Sequence, residues 1–536
     1  NHKRRIHGLD SYGKDFGVEK PKVDDWEGLT REEYQFRCEE DVKINTLLYE
    51  QLMEKLSMIY NHDQLAMDKI INYLGFKMDC LRQQEHDKWK LDKEHCQKVI
   101  DEIQPVLDAK TEELIGYMPM VDKFAKRTFP AKPYKKDGNL SASGLNWFAL
   151  LESEGLPKDY QGELKVKVGE EQPKPSSPDQ VKDWLFSLGW EPQNFDYKDN
   201  PDGTKRLVPQ VRIDGGGGKE LCPSVLELVE DNPGVAVLDG VTVLSHRLST
   251  LKGFLKNEKH GYLLARSQGL TNTLRFRHKE LVNLPGVGKA WGKEIRGCLV
   301  APEGQVLCGS DMCSLEDSTK RHYMFKYDPE YVKEMSREGF DSHLDLAQFA
   351  GAVTAQEVLD YVCKKVGSKN LKPIRSEFKV ANYSCVYGVG KDTLSRTLKT
   401  TPAKAAKLIK AYWERNKAVL QVSDAVVTKT VMGEMWLFNP ISKFWYSLRY
   451  KKDIFSTLNQ GTGVYCFDLW IREFRKTRKQ LTGQFHDEVI LCIKKGSEDK
   501  CRKLLNDAME RVNDILKLNV TLSVDIQFGD SYAEIH

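Results

Sequence analysis

Arg375, Lys379 and Tyr383, followed by Tyr387-Gly388, recur at intervals of four in the segment RSEFKVANYSCVYG. Residues four apart share one face of a helix. The segment therefore predicts a helix with two cations, then two aromatic rings, then a residue with no side chain along one face. Cations suit a triphosphate, a ring suits stacking on a nucleobase, and a glycine leaves room for a closely approaching base. The same residues would equally make a solvated basic face with two half-buried tyrosines. Two acidic motifs flank this ladder. In QVLCGSDMCSLEDS an apolar run ends at Asp311, with Glu316 five residues on, and in TGQFHDEVILCI the triplet His486-Asp487-Glu488 lies between two apolar segments. The first predicts a buried strand that delivers a carboxylate at its end, the second a hairpin with carboxylates at its turn. An HDE triplet alone is usually a surface turn. The order carboxylate strand, cationic-aromatic helix, carboxylate hairpin is more specific.

These motifs resemble those of family A DNA polymerases, and look most like the compact replicative polymerases of podovirus-type phages. SDMCSLE is similar to motif A, whose usual form is DYSQIELR; RSEFKVANYSCVYG matches motif B, the fingers helix; FHDEV matches motif C. RFRHKELVNLPG with IRGCL (275–299), NQGTG (459–463) and the terminal His536 extend the match. The resemblance covers residues 60–536 as polymerase and 1–57 as the tail of an exonuclease domain. It implies a mixed α/β right-hand fold: a palm with an antiparallel sheet, helical fingers and thumb, and the C-terminal remnant of a 3′-5′ exonuclease domain. The corresponding segments are 1–57 exonuclease-like, 58–270 thumb with a loop-rich insertion at about 119–220, 271–345 palm, 346–435 fingers, and 436–536 palm.

The implied chemistry is template-directed addition of dNTPs to a primer end. Phosphoryl transfer leaves little covalent work to a protein; it needs two metal ions and cations on the departing phosphates. Mg²⁺, for which Mn²⁺ can substitute, keeps several waters, so Asp311 and Asp487 suffice as anchors, with the Met312 carbonyl as a further ligand. By resemblance, Arg375 and Lys379 hold the triphosphate, and Lys379 protonates the leaving pyrophosphate. Tyr383 stacks on the incoming base and faces its sugar, and the tyrosine form implies weak discrimination against sugars lacking the 3′-hydroxyl. Glu316 and Tyr387 wall the 2′ position, and His486 touches the primer terminus or the triphosphate. Gln460, Arg275 and Arg296 match positions that read the minor groove or the backbone near the primer end. That groove presents nearly the same acceptors for every correct pair. The sequence departs from the family at Cys313 (usually serine), Ser318 (usually arginine) and Ser456 (usually asparagine), which touches the grip on primer and groove but not the metal anchors.

Two other readings share part of this pattern. A single-subunit phage-type RNA polymerase has the carboxylate pair and a Lys/Tyr-Gly helix, but is expected to carry HDS at the hairpin and to lack Glu316. A non-catalytic DNA-binding scaffold has no need of Asp311 and Asp487.

The elements that position these residues must come from a chain of 536 residues, long enough for several domains. Its net charge is only +3 with 30% charged residues, so overall charge does not announce nucleic acid. Local charge does: between Val362 and Lys417 there are 14 Lys/Arg against 3 Asp/Glu. Twelve cysteines without a CxxC pair suggest reduced, mostly buried thiols in a cytoplasmic protein, with neither disulfides nor a zinc site. No apolar run reaches membrane-spanning length and no signal peptide opens the chain. The opening NHKRRIHGLDSYG reads as an entry in mid-domain, so the chain is expected to lack its native start.

Residues 31–57 read as one amphipathic helix. There Asp41 fits the aspartate of a Tyr-x-x-x-Asp exonuclease motif, but Arg37 holds the tyrosine position, so DNA hydrolysis by this chain is not expected. FPAKPYKKDGN, EEQPKPSSPD and GGGG (215–218) mark loops and joints within 119–220, around a helix capped by Ser177 with Pro178 at its first turn. The basic-aromatic segment 119–172 suits DNA, a processivity partner or a flexible solvated loop, with basic-aromatic interleaving favouring nucleic acid. The expected form is a monomer bound to primer-template DNA and dNTPs, free of membrane.

Overall fold

The computed structural model describes residues 7–18, 20, 23, 25–200, 204–215, 218–281, 283–398 and 400–535. The terminal His536 and most of the charged opening lie outside the described residues. By its internal contacts the chain divides into a unit of residues 1–99 with 251–536 and a unit of residues 100–250.

At the centre of the first unit is a four-stranded antiparallel sheet, in the order Gly483–Phe485, Glu488–Lys494, Gln305–Met312, Val524–Gly529. Strand Gln305–Met312 is buried from Val306 to Ser310 because it has a partner on either side. One such partner is the β-branched run VILCI of Glu488–Lys494. Helices Ile454–Arg475 and Glu498–Leu516 cover the sheet, burying Trp470, Phe474, Leu505 and Val512 against Cys308, Val489 and Leu491. The indole of Trp470 donates to the Leu505 carbonyl at 3.0 Å. Helix Gln64–Asp87 is fastened to helix Ile454–Arg475 by a fully buried ion pair, Lys77 Nζ to Asp468 at 2.6 Å, with the Tyr73 hydroxyl donating to the same carboxylate.

The ladder segment is a helix over Lys372–Val386 with Pro373 in its first turn. Phe378, Ala381, Asn382 and Cys385 are its buried residues. They fall at i, i+3, i+4 and i+7 and form one stripe, from which Phe378 and Cys385 join Leu344, Leu394, Leu408 and Tyr412 in a helical core. Packing this stripe inward leaves the ladder face outward.

In the 100–250 unit, Leu114, Trp184, Leu185, Trp190, Val225 and Leu238 form a separate core. The segment expected to be loops and joints holds more order than that. Strands Val121–Arg127 and Leu164–Glu171 pair as an antiparallel ribbon whose connection holds helix Ala142–Ser153, Phe195–Asp199 and Lys205–Pro209 pair as a hairpin, and Arg212–Gly215 and Gly218–Leu221 as another. Proline and lysine mark their turns but do not prevent the strands between them. Helix Pro178–Ser187 starts as expected, with the Ser177 hydroxyl accepting from the Gln180 amide.

The N-terminal helix spans Arg31–Ile59 behind a capping box of Thr30 and Glu33. It is not the amphipathic helix expected. Tyr34, Phe36, Leu47, Tyr49 and Leu52 are exposed, and its buried residues are Glu40, Ile44 and Ile59, because apolar and charged side chains alternate too closely to form one stripe. Among the described residues no helix is long and apolar enough to cross a membrane. All twelve cysteines are free thiols, and eight of them are buried.

Candidate active site

The carboxylates meet at one end of the sheet. In register, Asp311 stands directly opposite Glu488 on one neighbouring strand and Asp525 on the other. The turn between Phe485 and Glu488 carries His486, held at φ 59°, and Asp487. The Met312 amide donates to the Asp487 carbonyl at 3.1 Å, tying the two carboxylate-bearing segments together. Crowding shows in the titration of Asp311, which is pushed up to about 7, first by partial desolvation and then by Asp487, Glu488 and Asp525. Desolvation likewise raises Asp487. Glu488 is buried and accepts from the Tyr532 hydroxyl at 3.2 Å.

Like charges directly opposed across strands are unfavourable unless something positive lies between them. The donors are hard oxygens, which fit Mg²⁺ or Mn²⁺ and not a soft metal. Among the described residues no three His, Cys, Asp or Glu side chains converge into a metal cage. Mg²⁺ needs none, since one or two carboxylates with water and phosphate oxygens complete its shell.

Beside the carboxylates opens a cavity of about 550 Å³, lined by Glu316, Arg375, Lys379, Tyr383, Tyr387 and Asp487. The anticipated cations, rings and carboxylates thus share one space. Lys379 is exposed and makes no hydrogen bond or ion pair among the described residues. Arg375 donates from Nε to Asp341 at 2.5 Å. Tyr383 and Tyr387 are 49% and 43% exposed, enough for a ring to present a face to a ligand. Partial desolvation, with the negative charge of Glu316 after it, raises both phenols. Tyr387 caps the helix, and its hydroxyl accepts from Gln460 Nε2 at 2.8 Å.

Gly388 lies just past the helix end at φ 68°. A β-carbon there would meet Lys452 only at an ordinary 3.8 Å, so the left-handed backbone, more than lack of room, calls for glycine. Burial raises Glu316 while Arg275 opposes the shift.

A second cavity, of about 310 Å³, is lined by Arg296, Asp311, His486, Asp487 and Glu488 among others. His486 is pushed down to about 4 by partial desolvation and by Arg275, and its ring lies 5.9 Å from that of His278. Arg275 thus acts electrostatically on Glu316, Tyr387, His486 and Asp487 from one position. Arg296 is engaged with protein: it donates to the carbonyls of Pro285 at 2.8 Å and Leu284 at 3.4 Å and lies over the Tyr532 ring at 4.5 Å.

Several residues of the site had no sequence signal singled out. Asp525 reaches Asp311 only through strand register. Asp317 lines the large cavity and pairs with Arg321 at 2.9 Å. The turn Asp341–His343 runs along the ladder helix: Asn382 donates to the Ser342 carbonyl at 3.0 Å, and the His343 ring lies 5.8 Å from that of Tyr383. A hint of this turn existed in FDSHLDLA, where Asp341 precedes an apolar helix as a cap would.

The sequence matches the family described as DNA polymerase family A over residues 243–534, more than half of the chain. It is 25% identical to DNA polymerase I of Geobacillus stearothermophilus over 286 residues, which is 50% of this chain and 30% of that protein. It is 25% identical to DNA polymerase I of Caldicellulosiruptor bescii over 290 residues, 49% of this chain and 31% of that protein. The match therefore spans about a third of the length of these curated relatives. Among solved structures, the POL domain of Pol1 from M. smegmatis, in complex with DNA primer-template and dNTP, shares the fold. Its TM-score is 0.63 at 16% identity, over 99% of this chain and 80% of that one. With the matched region holding the sheet, the ladder helix and both cavities, the chain belongs to DNA polymerase family A.

Proposed function

We propose that this chain is a DNA-directed DNA polymerase that adds dNTPs to a primer 3′ end on a DNA template by two-metal phosphoryl transfer. The observation that carries the reading is the placement of Asp311 and Asp487 together at the sheet end, with Asp487 also lining the cavity of Arg375, Lys379 and Tyr383. Two Mg²⁺ ions held by Asp311, Asp487 and the Met312 carbonyl would activate the primer hydroxyl and neutralise the developing phosphate charge. Arg375 and Lys379 bind the triphosphate, and Lys379, which has no competing partner among the described residues, supplies a proton to the departing pyrophosphate. Tyr383 stacks on the incoming base and faces its sugar, and Glu316 with Tyr387 excludes a 2′-hydroxyl. Arg275, Arg296, Gln460 and His486 hold the primer end and the minor groove of the new pair.

The likeness to podovirus-type polymerases supports a part in phage genome replication. Residues 1–57 are read as an exonuclease-like piece without hydrolytic activity: Asp41 lies 3.1 Å from Lys20, and Arg37 stands where that motif needs tyrosine. The 119–172 segment is read as a surface for DNA or for a processivity partner. Primer extension with dNTPs and rNTPs side by side tests the whole. Extension with dNTPs and Mg²⁺ is expected, and extension only with rNTPs, or none, rejects the reading.

A further inference from the structure

Arg375 is the one ladder cation that is already spoken for. Its Nε edge is taken by Asp341, 34 residues earlier in the chain, at 2.5 Å, and it makes no other hydrogen bond among the described residues. Among the described residues both terminal amino groups therefore have no protein partner, while the side chain lines the large cavity. A guanidinium offers five donors in a rigid fork, so fixing one edge aims the other.

Asp341 is itself immobile. One carboxylate oxygen accepts from the backbone amides of His343 and Leu344, both at 3.0 Å, as the N-cap of helix Ser342–Phe349. The other oxygen receives Arg375. Burial works against its charge, yet the Leu344 amide and the Arg375 guanidinium hold the carboxyl below its ordinary range. The turn carrying it is fixed twice more along the ladder helix, by Asn382 on the Ser342 carbonyl and by His343 against Tyr383. A carboxylate locked to one helix thus grips a cation on the next.

We propose that Asp341 is a positioning residue for the incoming nucleotide: it grips Arg375 by Nε so that the two terminal amino groups face the cavity where the triphosphate binds. This rests on the reading of that cavity as the nucleotide site. Asp341 borders the same cavity, but one carboxylate oxygen is taken by backbone amides and the other by Arg375, so its action on the nucleotide runs through Arg375.

The test separates the cap from the grip. Asp341→Asn keeps an oxygen for the His343 and Leu344 amides, since asparagine caps helices as well as aspartate, but removes the charge that orients Arg375. dNTP affinity is measured on a primer-template whose primer is dideoxy-terminated, so that no chemistry follows. Single-nucleotide insertion on a normal primer gives the maximal rate. Asp341→Asn is expected to weaken dNTP binding roughly tenfold to a hundredfold, the worth of a hydrogen bond to a charged group, with the maximal rate at saturation and the melting temperature close to wild type. In an Arg375→Ala background the same substitution is expected to have no further effect on dNTP affinity. Asp341→Ser, which keeps a capping hydroxyl, gives the same contrast should the asparagine disturb folding. Wild-type affinity in Asp341→Asn, or an equal loss with and without Arg375, overturns the proposal. Failure of the wild-type complex to bind any dNTP strikes the nucleotide reading of the cavity and takes the proposal with it.

Discussion

In the four-stranded sheet, Asp311 stands directly opposite Glu488 and Asp525; in the two-stranded ribbon Val121–Arg127 with Leu164–Glu171 of the 100–250 unit, Lys126 stands directly opposite Lys165. Both arrangements oppose like charges across an antiparallel pair, and both cost something. The sheet has no way to relax. Its strand is pinned on both sides, Met312 is bonded to the Asp487 carbonyl, and a packed core lies beneath, so desolvation first, and the neighbouring carboxylates after it, keep Asp311 raised to about 7. The ribbon relaxes freely: Lys126 of the opposed pair turns to Glu163 at 2.9 Å, the nearby Lys167 turns to Asp122 at 2.5 Å, and Lys126 and Lys167 remain well exposed to water. Charge held under stress requires a rigid, buried scaffold, whereas charge on an exposed ribbon is a screened and adjustable surface. The first suits chemistry, the second attraction.

The sharpest way to break the comparison is at the carboxylates. Asp311→Ala or Asp487→Ala should cut primer extension by on the order of a thousandfold or more, with primer-template binding retained in a gel shift. A mutant that keeps more than about a hundredth of the wild-type rate would remove the pair from the chemistry.

The rigidity of the scaffold is tested at its buried ion pair. Lys77→Met strands Asp468 in the core and should destabilise the 1–99 with 251–536 unit by roughly 3–5 kcal/mol. Lys77→Met with Asp468→Leu should recover most of that loss. Denaturant midpoints that fall equally in the single and double variants would show that the pair does not fasten helix Gln64–Asp87 to helix Ile454–Arg475.

Lys320 tests the same scaffold through pH. It is buried, donates to Asn416 at 2.6 Å, and is lowered to about 8 by burial. Above pH 8 the folded protein releases this proton while the unfolded chain keeps it up to about 10.4. The unfolded state then binds more protons, so this group makes stability rise with pH between those values. Lys320→Met should flatten that rise in chemical denaturation run from pH 7.5 to 10. An unchanged slope would mean that Lys320 does not titrate in the folded state.

Tyr383→Phe should raise discrimination against dideoxynucleotides by about tenfold, the worth of one hydrogen bond, with dNTP use little changed. Unaltered dideoxy sensitivity would show that the phenol does not face the sugar.

The smallest effect belongs to the two-stranded ribbon. Lys165→Glu should stabilise the 100–250 unit by about 0.2–1 kcal/mol by converting an opposed like pair into an opposite one. If the strip holds DNA phosphates, the same change should lower affinity uniformly across sequences and make the salt dependence of binding shallower. Identical salt slopes would leave the ribbon without a DNA role.

How much of this was legible in the sequence varies with the range of the interaction involved. The ladder helix announces itself because its buried stripe, Phe378, Ala381, Asn382 and Cys385, and its outward face are both set by local periodicity. The carboxylate strand and the His486-Asp487 turn are legible for the same reason, as apolar runs broken at acidic residues. Asp525 is not: VDIQFG is an ordinary alternating strand until its register places that aspartate against Asp311. The Asp341–Arg375 tie joins residues 34 apart through a helix packing that no spacing encodes. Between 119 and 220, proline, glycine and lysine mark turns correctly but hide the strands, because short exposed two-stranded ribbons bury too little to impose a clear alternation of apolar and polar residues.

The place of strand Gln305–Met312 in the middle of its sheet also bears on how the protein is made. One neighbour begins at Glu488 and the other at Val524, so a chain emerging from the ribosome carries this apolar strand with both edges bare until most of the remaining sequence has been synthesised. At roughly 5–20 residues per second that interval is about 10–40 s. Bare apolar edges invite pairing with other chains. Fragments that stop between 312 and 487 should therefore precipitate or remain with chaperones, and slow translation across that span should lower the soluble yield without altering a single contact of the finished fold.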